Sequence, residues 1–457
     1  MKYIKQNKGK IFIIMSILFL LVLVILYSYR LIYYYRLEHK PKVKENTLNN
    51  TLTDEKNLVT SGDGLYQMGD GYVFKGKNIN NYLLYSGRLW RIVSINADGS
   101  IKLITNDIQT SMVWSFNDNN YENSYIRDWL NVTPEKEHTG IFYNSLSNPS
   151  KYLVAGKWCL DIIEDVNKTS CDKINEEDKV GLLSIEDYKL SGGSNGYLNN
   201  NSYEWTINGY DSNQVWYRLP SGDLSNNSNK VDSYYSYGVR PVINIKGTLK
   251  PIDGDGSTSK PFIIEDNTKV SFANVVAGQY ISYSGYNWRV IDKNEKGIKV
   301  AMDGYILDYD DDPVLKAFST NSNIFDIKNS SNIGYYLNHS FYNSLTNSNY
   351  IISGDFNVAE YNSDVNYDYK NIYTKTVNAK VGLMSVADLF MNDFDSFATL
   401  TSSNELDNTI YTALEDGKLY ANLIDMELKI RPVVYLDITL RIIGGTGMRD
   451  NPFIVSR

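Results

Sequence analysis

The sequence carries the same order of motifs twice, and this internal duplication constrains the fold more than any other feature. YLLYSGRLWRIV (residues 82–93) returns as YISYSGYNWRVI (residues 280–291), at an offset of 198 residues. Four further pairs of motifs follow in the same order: FYNSL at 142–146 and 341–345, VGLLSIEDY at 180–188 and VGLMSVADL at 381–389, GVRPVINIKGTL at 238–249 and KIRPVVYLDITL at 429–440, and SKPFII at 259–264 and DNPFIV at 450–455. The sequence therefore predicts two domains of one fold, residues 61–266 and 267–457.

The repeated motifs predict a mixed α+β fold. The YSG-x-x-WR motif is rich in aromatic and β-branched residues, which is typical of strands, and Gly99 and Gly297 mark hairpin turns that follow it. IRDWLN (residues 126–131) and IGYYLN (residues 333–338) place apolar residues at helical spacing. We therefore expect each domain to combine short helices, twisted antiparallel strands and long polar loops.

An uncharged apolar run, IFIIMSILFLLVLVILYSY, occupies residues 11–29. As a helix it would be about 28 Å long, close to the ~30 Å thickness of the hydrocarbon core of a membrane. A buried core helix would need a polar face, and a cleaved signal peptide would have a shorter apolar run and a small-residue cleavage site. We therefore predict a retained transmembrane helix over residues 11–29, with a cytoplasmic head (residues 1–10) before it and a stalk (residues 30–60) after it.

Charge is divided unequally along the chain. Residues 1–44 carry nine Lys or Arg and one Glu, whereas residues 45–457 carry 36 basic and 52 acidic residues, a net charge of −16. A body of this sign repels nucleic acid and anionic surfaces, so nucleic acid is not expected as a partner. Positive charges flank the apolar run almost equally. The short head then favours a single-pass protein of the cell membrane, with a cytoplasmic N-terminus and an extracellular body.

The set of motifs also resembles a known family. YxxGxxWRIV, WLN, VGLLSxxDY, GVRPV and the closing G-x-G-x-x-x-x-P-F, with Trp205-Thr206 and Trp216-Tyr217, are similar to motifs of bacterial exported domains of unknown function. The resemblance covers nearly everything from about residue 62 onwards. It implies two tandem C-type-lectin-like domains, related to the formylglycine-generating enzyme superfamily, behind an N-terminal membrane anchor. It assigns no chemistry to the motifs, and the second copy lacks counterparts of Trp205 and of Trp216-Tyr217.

Cys159 and Cys171 are the two cysteines of the chain and lie outside any CxxC motif. In an exported domain, two cysteines at this spacing predict a local disulfide, which would stabilise the fold by up to ~3 kcal/mol. The alternatives are two free thiols, or a catalytic thiol or copper site like that of formylglycine-generating enzymes, whose closer cysteine pair does not occur here. Asn357 replaces Cys159 in the second copy, so the fold does not require the bridge.

Three aromatic residues are the best candidates for ligand binding: Trp205, Trp216 and Tyr217. They lie beside the Gly/Asn-rich loop SGGSNGYLNNNS at residues 191–202. Because aromatic rings stack on sugar faces, a glycan is the first ligand to consider there, and a protein ligand is the second. The alternative is that the three rings belong to the hydrophobic core.

No motif points to catalysis, a cofactor or a metal site. His39, His138 and His339 lie in no pattern typical of a Ser-His-Asp set, and no phosphate-binding glycine loop occurs. The acidic residues 308–312 lack the glycine of an EF-hand and are followed by Pro313, so we expect a solvated loop. The predicted function is binding or adhesion at the bacterial cell surface without catalysis. An exported enzyme with one degenerate copy and a structural envelope component are the alternatives.

Overall fold

The computed structural model describes residues 2–38, 45–112, 114–115, 119–134, 139–167, 171–226, 237–264, 271–358, 375–389, 397–403, 407–413 and 419–457. The chain forms two compact units, Met1–Asn46 and Thr47–Arg457. The second unit contains both sequence repeats, which we call the first repeat (residues 61–266) and the second repeat (residues 267–457).

The first unit contains one long helix, α1 (Lys2–Glu38). Its segment Phe12–Tyr34 is 23 residues long, is apolar enough to cross a membrane and is not buried against any part of the structure. The hydroxyl groups of Ser16 and Ser28 each donate to the carbonyl four residues earlier, at 2.9 and 2.8 Å. Both polar side chains are thus satisfied inside the helix, as a nonpolar environment requires.

The apolar helix predicted over residues 11–29 is present and continues further than predicted. Arg30 does not end it, because a single Arg is a good helix former and its guanidinium lies 5.7 Å from the ring of Tyr34, one turn later. Residues 30–38, which we expected to begin a stalk, therefore belong to α1.

The expected stalk is also wrong at its other end, where the chain already packs onto the body. Helix α2 (Leu48–Leu52) begins at Thr47, whose side chain accepts the N–H of Asn50. Leu48 and Leu52 are buried, and the Leu48 N–H donates to the Leu249 carbonyl at 2.6 Å. Two leucines in an otherwise polar segment are enough to bury it against the first repeat.

The other helices of the body are short. They are α3 (Tyr125–Leu130), α4 (Ile141–Asn144), α5 (Pro149–Tyr152), α6 (Ile185–Leu190), α7 (Ile333–Tyr336), α8 (Tyr342–Ser344) and α9 (Val386–Leu389), with a π-helical turn at Leu337–Phe341 and 3₁₀ turns at Glu55–Asn57, Tyr121–Asn123, Gly193–Asn195, Phe272–Asn274 and Ser348–Tyr350.

Strands make up most of the body. Those of the first repeat are β1 (Gly64–Met68), β2 (Gly71–Lys75), β3 (Tyr82–Tyr85), β4 (Arg88–Ile95), β5 (Ile101–Thr105), β6 (Thr110–Met112), β7 (Leu153–Val154), β8 (Trp158–Cys159), β9 (Ile174–Asn175), β10 (Val180–Gly181), β11 (Glu204–Gly209), β12 (Val215–Arg218), β13 (Leu224–Ser225), β14 (Tyr237–Val239), β15 (Val242–Ile245) and β16 (Phe262–Ile263). Those of the second repeat are β17 (Tyr280–Tyr283), β18 (Tyr286–Lys293), β19 (Gly297–Met302), β20 (Leu315–Ala317), β21 (Ile351–Ile352), β22 (Gly354–Asn357), β23 (Thr376–Ala379), β24 (Val381–Leu383), β25 (Phe397–Ser402), β26 (Thr409–Ala413), β27 (Leu419–Leu423), β28 (Glu427–Lys429), β29 (Pro432–Asp437), β30 (Arg441–Gly444) and β31 (Phe453–Ser456).

The main sheets of the two repeats share a strand order. In the first repeat, β16, β3, β4, β5 and β15 are successive neighbours, and both β7 and β10 pair with β15. In the second repeat, β31, β17, β18, β19 and β29 are successive neighbours, and both β21 and β24 pair with β29. The first repeat adds the β1–β2 hairpin beside β4, and the second adds β30 beside β31.

The YSG-x-x-W motif forms the same hairpin in both repeats. Ser86 and Ser284 each have φ 56°, and the glycine after each also has a positive φ, as a two-residue turn with matching strand twist requires. Trp90 and Trp288 are completely buried, and each indole N–H donates at 2.9 Å to the carbonyl of the tyrosine that precedes the turn.

The core of the body is divided between the repeats but not completely. One cluster of buried residues extends from Leu48 to Ile264, and a second extends from Phe272 to Val455. Val386 and Tyr411 belong to the second repeat but pack with the first cluster. The body is thus mostly β with some short helices, and its two repeats pack against each other.

Candidate functional site

A disulfide closes a loop of the first repeat between β8 and β9. The sulfur atoms of Cys159 and Cys171 are bonded, with Cα atoms 5.8 Å apart, which is the pairing that the cysteine spacing predicted. Inside the loop, the buried carboxylate of Asp161 accepts the N–H groups of Asp172 at 3.0 Å and Lys173 at 2.6 Å. The disulfide and this carboxylate together restrict the loop to one shape.

Trp158 anchors the base of the loop. It is buried, and its indole N–H donates to the Asp178 carbonyl at 2.9 Å. Gly156 and Gly181 both lie so close to the indole that a Cβ at either position would overlap the ring. The two glycines therefore make room for the tryptophan that positions Cys159 on β8.

An ion pair connects this base to α3. The Arg127 guanidinium binds the Asp178 carboxylate through two hydrogen bonds, at 2.8 and 2.9 Å. These bonds raise the pKa of Arg127, chiefly because the charged form donates to Asp178. Asp178 is itself buried, and its N–H donates to the Asn175 side chain at 3.0 Å. The geometry is the bidentate one that fixes orientation most firmly.

A pocket of about 370 Å³ opens beside the loop. Loop, turn and strand residues from four parts of the chain line it: Asn119, Asn120, Tyr121, Leu160, Asp161, Ile162, Asp172, Lys173, Ile207 and Gly209. The polar residues supply amide and carboxylate groups, and the aliphatic residues supply an apolar wall. A concave site with a few fixed polar groups over apolar side chains is typical of small-ligand binding.

The electrostatics of the pocket are mainly negative. Asp161 and Asp172 contribute two carboxylates, whereas the one ammonium group among the lining residues, that of Lys173, is bonded to the Glu122 carboxylate at 2.6 Å. This hydrogen bond lowers the pKa of Glu122. The pocket therefore presents acceptors to a ligand that carries hydroxyl or amino donors.

The aromatic residues that we predicted to bind ligand do not form an exposed surface. Trp205, Trp216 and Tyr217 are 4%, 8% and 3% exposed, so this prediction is wrong and the core alternative describes them. Trp205 packs at 4.8 Å from the ring of Tyr237 and at 5.7 Å from that of Trp114. Strands β11 and β12 direct these large rings inward, where they bury the most apolar area.

Two of these residues nevertheless support the pocket from behind. The Trp216 indole N–H donates to the Ile163 carbonyl at 2.6 Å, which fixes the chain next to the pocket residue Ile162. Trp205 contacts Trp114, and the ring of Trp114 lies 6.1 Å from that of the pocket residue Tyr121. The buried Trp205 and Trp216 are thus connected to residues that line the pocket, but neither ring forms part of its surface.

The pairing of β25 with β26 shows which residues of the second repeat correspond to Trp205 and Trp216 on β11 and β12. The hydroxyl of Thr206 donates to the Trp216 carbonyl at 2.8 Å, and that of Thr399 donates to the Tyr411 carbonyl at 2.7 Å. Tyr411 therefore stands where Trp216 does, so the second repeat does have an aromatic counterpart there. Ala398 stands at the position of Trp205.

The disulfide also bears on metal binding. Among the residues that the structure describes, Cys159, Asp161 and Cys171 form the one group of three candidate ligands within 4.8 Å of one another. Metal sites use cysteine as the thiolate, and both sulfur atoms here are bonded to each other. This group can therefore offer a metal one carboxylate, whose oxygen atoms already accept backbone N–H groups.

The acidic loop of the second repeat is a tight turn. The Asp308 carboxylate accepts the N–H groups of Asp310 and Asp312 at 2.9 and 3.0 Å, and Tyr309 is fully exposed. This geometry agrees with the predicted solvated loop, because the Asp308 carboxylate stabilises the turn.

The second repeat keeps the base of the disulfide loop but not its cysteines. Phe356 and Asn357 on β22 pair with Val377 and Thr376 on β23, as Trp158 and Cys159 pair with the residues of β9. The sequence between these strands contains no cysteine, and its residues 359–374 lie outside the described part of the chain.

Comparison of the chain with protein-family models, with curated proteins and with solved structures finds no match.

Proposed function

We propose that this chain is a membrane-anchored bacterial cell-surface protein whose first repeat binds a hydroxyl-rich ligand, such as the end of a glycan chain, in the pocket beside the disulfide. The observation that carries the proposal is the pocket itself, about 370 Å³ in volume and bounded by a loop that a disulfide closes. Loops held on a rigid scaffold are common binding elements.

The chemistry of the lining residues supports this ligand class. The amide of Asn119 and the carboxylate of Asp172 lie around an aliphatic wall that includes Ile162 and Ile207. Amide and carboxylate groups accept hydrogen bonds from neighbouring hydroxyl groups, and aliphatic side chains cover the C–H face of a sugar ring. A protein ligand that presents serine, threonine or lysine side chains would use the same acceptors.

The proposed location follows from the first unit and from the disulfide. Segment Phe12–Tyr34 is long and apolar enough to hold the chain in a membrane. Structural disulfides such as Cys159–Cys171 persist in oxidising compartments outside the cytoplasm. We therefore place the N-terminus in the cytoplasm and the body outside the cell.

The proposed fold is a pair of tandem C-type-lectin-like domains. Its support is the shared order of strands in the two main sheets, together with the hairpins at Ser86-Gly87 and Ser284-Gly285. Such a scaffold presents long polar loops at one end, and the disulfide loop of the first repeat is one of them.

We further propose that the pocket binds its ligand without transforming it. The buried carboxylate of Asp161 accepts backbone N–H groups, so its oxygen atoms hold the loop. Asp172 and Lys173 lie at the exposed rim. General acid–base catalysis needs a group that can exchange a proton with the ligand, and the Asp161 carboxylate and the Lys173 ammonium are already bonded within the protein.

The proposal is tested with a substitution that fills the pocket but leaves the buried core unchanged. Ile162 and Ile174 are both 49% exposed and lie in the same part of the first repeat, but only Ile162 lines the pocket. The full chain in lipid nanodiscs, its Ile162→Trp variant and the Ile174→Trp control are applied to arrays of glycans and of host proteins. We expect the wild type and Ile174→Trp to bind the same spots and Ile162→Trp to lose them.

Two results would contradict the proposal. Equal binding by Ile162→Trp and the wild type would show that the ligand does not enter the pocket. A wild-type protein that binds no spot on either array would favour the structural envelope role instead.

A further inference from the structure

The two repeats contact each other through a turn of the first and a segment of the second. Gly87, in the Ser86–Arg88 turn, lies so close to the Gln279 side chain that a Cβ on the glycine would overlap it. On the other side of the contact, a Cβ on Gly278 would lie 3.0 Å from Arg88 Cζ. We call the turn the donor turn and residues 276–279 the receiving segment.

This contact buries a guanidinium. Arg88 is 7% exposed and donates to the Gln109 side chain at 2.9 Å and to the Ser145 hydroxyl at 2.9 Å. Its guanidinium also lies 5.2 Å from the ring of Phe142. All of these partners are neutral and belong to the first repeat. The first repeat therefore fixes the position of the arginine, and the second repeat covers it.

The counterpart of the donor turn in the second repeat is uncovered. Ser284, Gly285 and Tyr286 have the same sequence positions, and Gly285 is exposed with no atom within 4 Å of where its Cβ would be. In the first repeat, by contrast, Ser86 and Arg88 are both buried. Tyr286 packs 6.4 Å from the ring of Phe341, as Arg88 packs on Phe142, so the turn has the same seat in both repeats.

The counterpart of the receiving segment in the first repeat is partly uncovered, although Ile79 and Asn81, which has the position of Gln279, are buried. Residues 78–81 precede β3 and β4 as residues 276–279 precede β17 and β18. Asn78 and Asn80 are exposed, whereas Gly278, which has the position of Asn80, is buried beneath the first repeat. The body thus carries one covered copy of each contact surface and a second copy of each that is only partly covered.

We propose that the Ser284–Tyr286 turn of one chain, in which Gly285 is exposed and its two neighbours are half-buried, docks against residues 78–80 of a second copy of this chain, so that the protein associates head to tail. The contact between the repeats shows that a turn and a segment of these kinds fit together. A contact between two different surfaces of one molecule is heterologous and continues from copy to copy unless a ring closes. Anchoring in one membrane would raise the effective concentration of the two surfaces.

The residues that differ favour a weaker and reversible contact between chains. Tyr286 replaces Arg88, so the contact between chains buries no guanidinium. Asn80 replaces Gly278, so the backbones cannot approach as closely as they do within the chain. A small polar contact of this kind is typical of transient association.

Disulfide trapping of the full chain in membranes tests the arrangement directly. The double variant Ser284→Cys, Asn80→Cys carries one thiol on each surface, and the native cysteines are already bonded to each other. With a mild oxidant, we expect a ladder of dimers, trimers and larger species on a non-reducing gel, which collapses to monomer when dithiothreitol is added. An equimolar mixture of the two single variants is expected to stop at the dimer.

The control is Asn80→Cys combined with Ser331→Cys, an exposed serine of the second repeat away from the turn. It is expected to give monomer with only a trace of dimer. A second pair, Tyr286→Cys with Asn78→Cys, guards against a fold that one substitution disturbs, and the thermal unfolding midpoint of each variant is compared with that of the wild type.

Head-to-tail association is overturned if both pairs give only the background of the control. It is also overturned if Ser284→Cys alone gives as much dimer as the double variant, because that result means that two like turns meet. A ladder from either pair that the single variants do not give supports it.

Discussion

The two repeats build the same sheet but differ in how they use buried charge. Both keep one ion pair between the main sheet and the helix after it: Lys102 bonds to Asp187 at 2.8 Å, and Lys299 bonds to Asp388 at 2.6 Å. The second pair is the more buried, and the rings of Phe356 and Tyr435 lie near its ammonium. This pair therefore belongs to the shared fold.

Two further groups of buried charges, one around Glu204 and one around Asp178, form ion pairs in the first repeat and are replaced in the second. Glu204 and Arg218 bond at 2.7 Å with both side chains buried, and Phe397 and Ala413 stand at their positions in the second repeat. Arg127 and Asp178 are likewise replaced, by Gly334 and Ala379 at the matching places in the motifs.

The positions of these extra pairs explain why they are limited to one repeat. Arg127–Asp178 fixes the base of the disulfide loop, and Arg218 donates to the side chains of Asn199 and Asn200 in the Gly/Asn-rich loop. Buried ion pairs rarely stabilise more than apolar residues of similar size, because desolvation offsets their attraction. Our hypothesis is that the first repeat keeps them because they hold loops in place, and that the second repeat replaced them with small or apolar residues.

The largest expected effect comes from breaking the Glu204 pair. In Arg218→Ala, Glu204 stays buried with Arg240 as its remaining ion-pair partner, 3.4 Å away. We expect the free energy of unfolding to fall by about 3–5 kcal/mol, since a buried charge loses its main partner. Urea denaturation followed by tryptophan fluorescence measures this, because six of the seven tryptophans lie in the first repeat.

A double variant sharpens the comparison. Glu204→Phe with Arg218→Ala copies the second repeat, where the Arg431 guanidinium lies 5.3 Å from the Phe397 ring and occupies the place of Arg240. We expect it to be more stable than Arg218→Ala alone. Equal or lower stability of the double variant would show that the second repeat is not a valid template for this part of the first.

An intermediate effect is expected from the disulfide, which only the first repeat has. Replacement of Cys159 and Cys171 by serine is expected to lower the free energy of unfolding by roughly 2–3 kcal/mol, since the bridge no longer restricts the unfolded chain. Dithiothreitol should change the wild type in the same way and leave the double serine variant unchanged. Urea denaturation with and without the reductant measures both.

Hydrogen exchange tests whether loss of the disulfide loosens the first repeat alone. The amides of β8 and β9 should exchange faster in the serine variant, while those of β22 and β23, which pair without a bridge, should keep the wild-type rate. Equal acceleration in both repeats would mean that the disulfide stabilises the whole body rather than its own loop.

The sequence predicted the features that depend on local pattern and on duplication. The apolar helix, the Ser-Gly hairpins and the disulfide follow from spacing, turn chemistry and residue type over short stretches. The end of the helix was missed because Arg30 ends an apolar run without ending a helix. Leu48 and Leu52 were missed because two apolar residues in a polar segment give no periodic signal.

The site required knowledge of the packed chain. Its lining comes from residues 119–121, 160–162, 172–173 and 207–209, which no short motif connects. Trp205 was predicted at a surface because it lies beside the Gly/Asn-rich loop, and the sequence alone does not show which side of its strand faces the core. The aspartates beside the two cysteines, Asp161 and Asp172, were the one signal in the sequence that could have indicated a polar pocket at the loop.

The smallest expected effect concerns the ion pair between Glu122 and Lys173 at the rim of the pocket, which the second repeat replaces with Asn329 at the position of Glu122. Hydrogen bonding from Lys173 lowers the pKa of Glu122 in the folded chain, while in the unfolded chain the pKa returns to its ordinary value near 4.5. A carboxyl with a lowered pKa stabilises the fold above that ordinary value, and this contribution is lost as the pH falls through the folded value. Because both side chains are partly exposed, Glu122→Gln should lower the free energy of unfolding at pH 7 by only about 0.2–1 kcal/mol. The difference from the wild type should be smaller at pH 4 than at pH 7, because the contribution begins to be lost below the ordinary value of 4.5. Asn329→Gln, at the matching place in the second repeat, should show no pH-dependent difference. Urea denaturation at both pH values checks this, and a Glu122→Gln effect that persists unchanged at the lower pH would mean that packing, and not the ion pair, holds Lys173 at the rim.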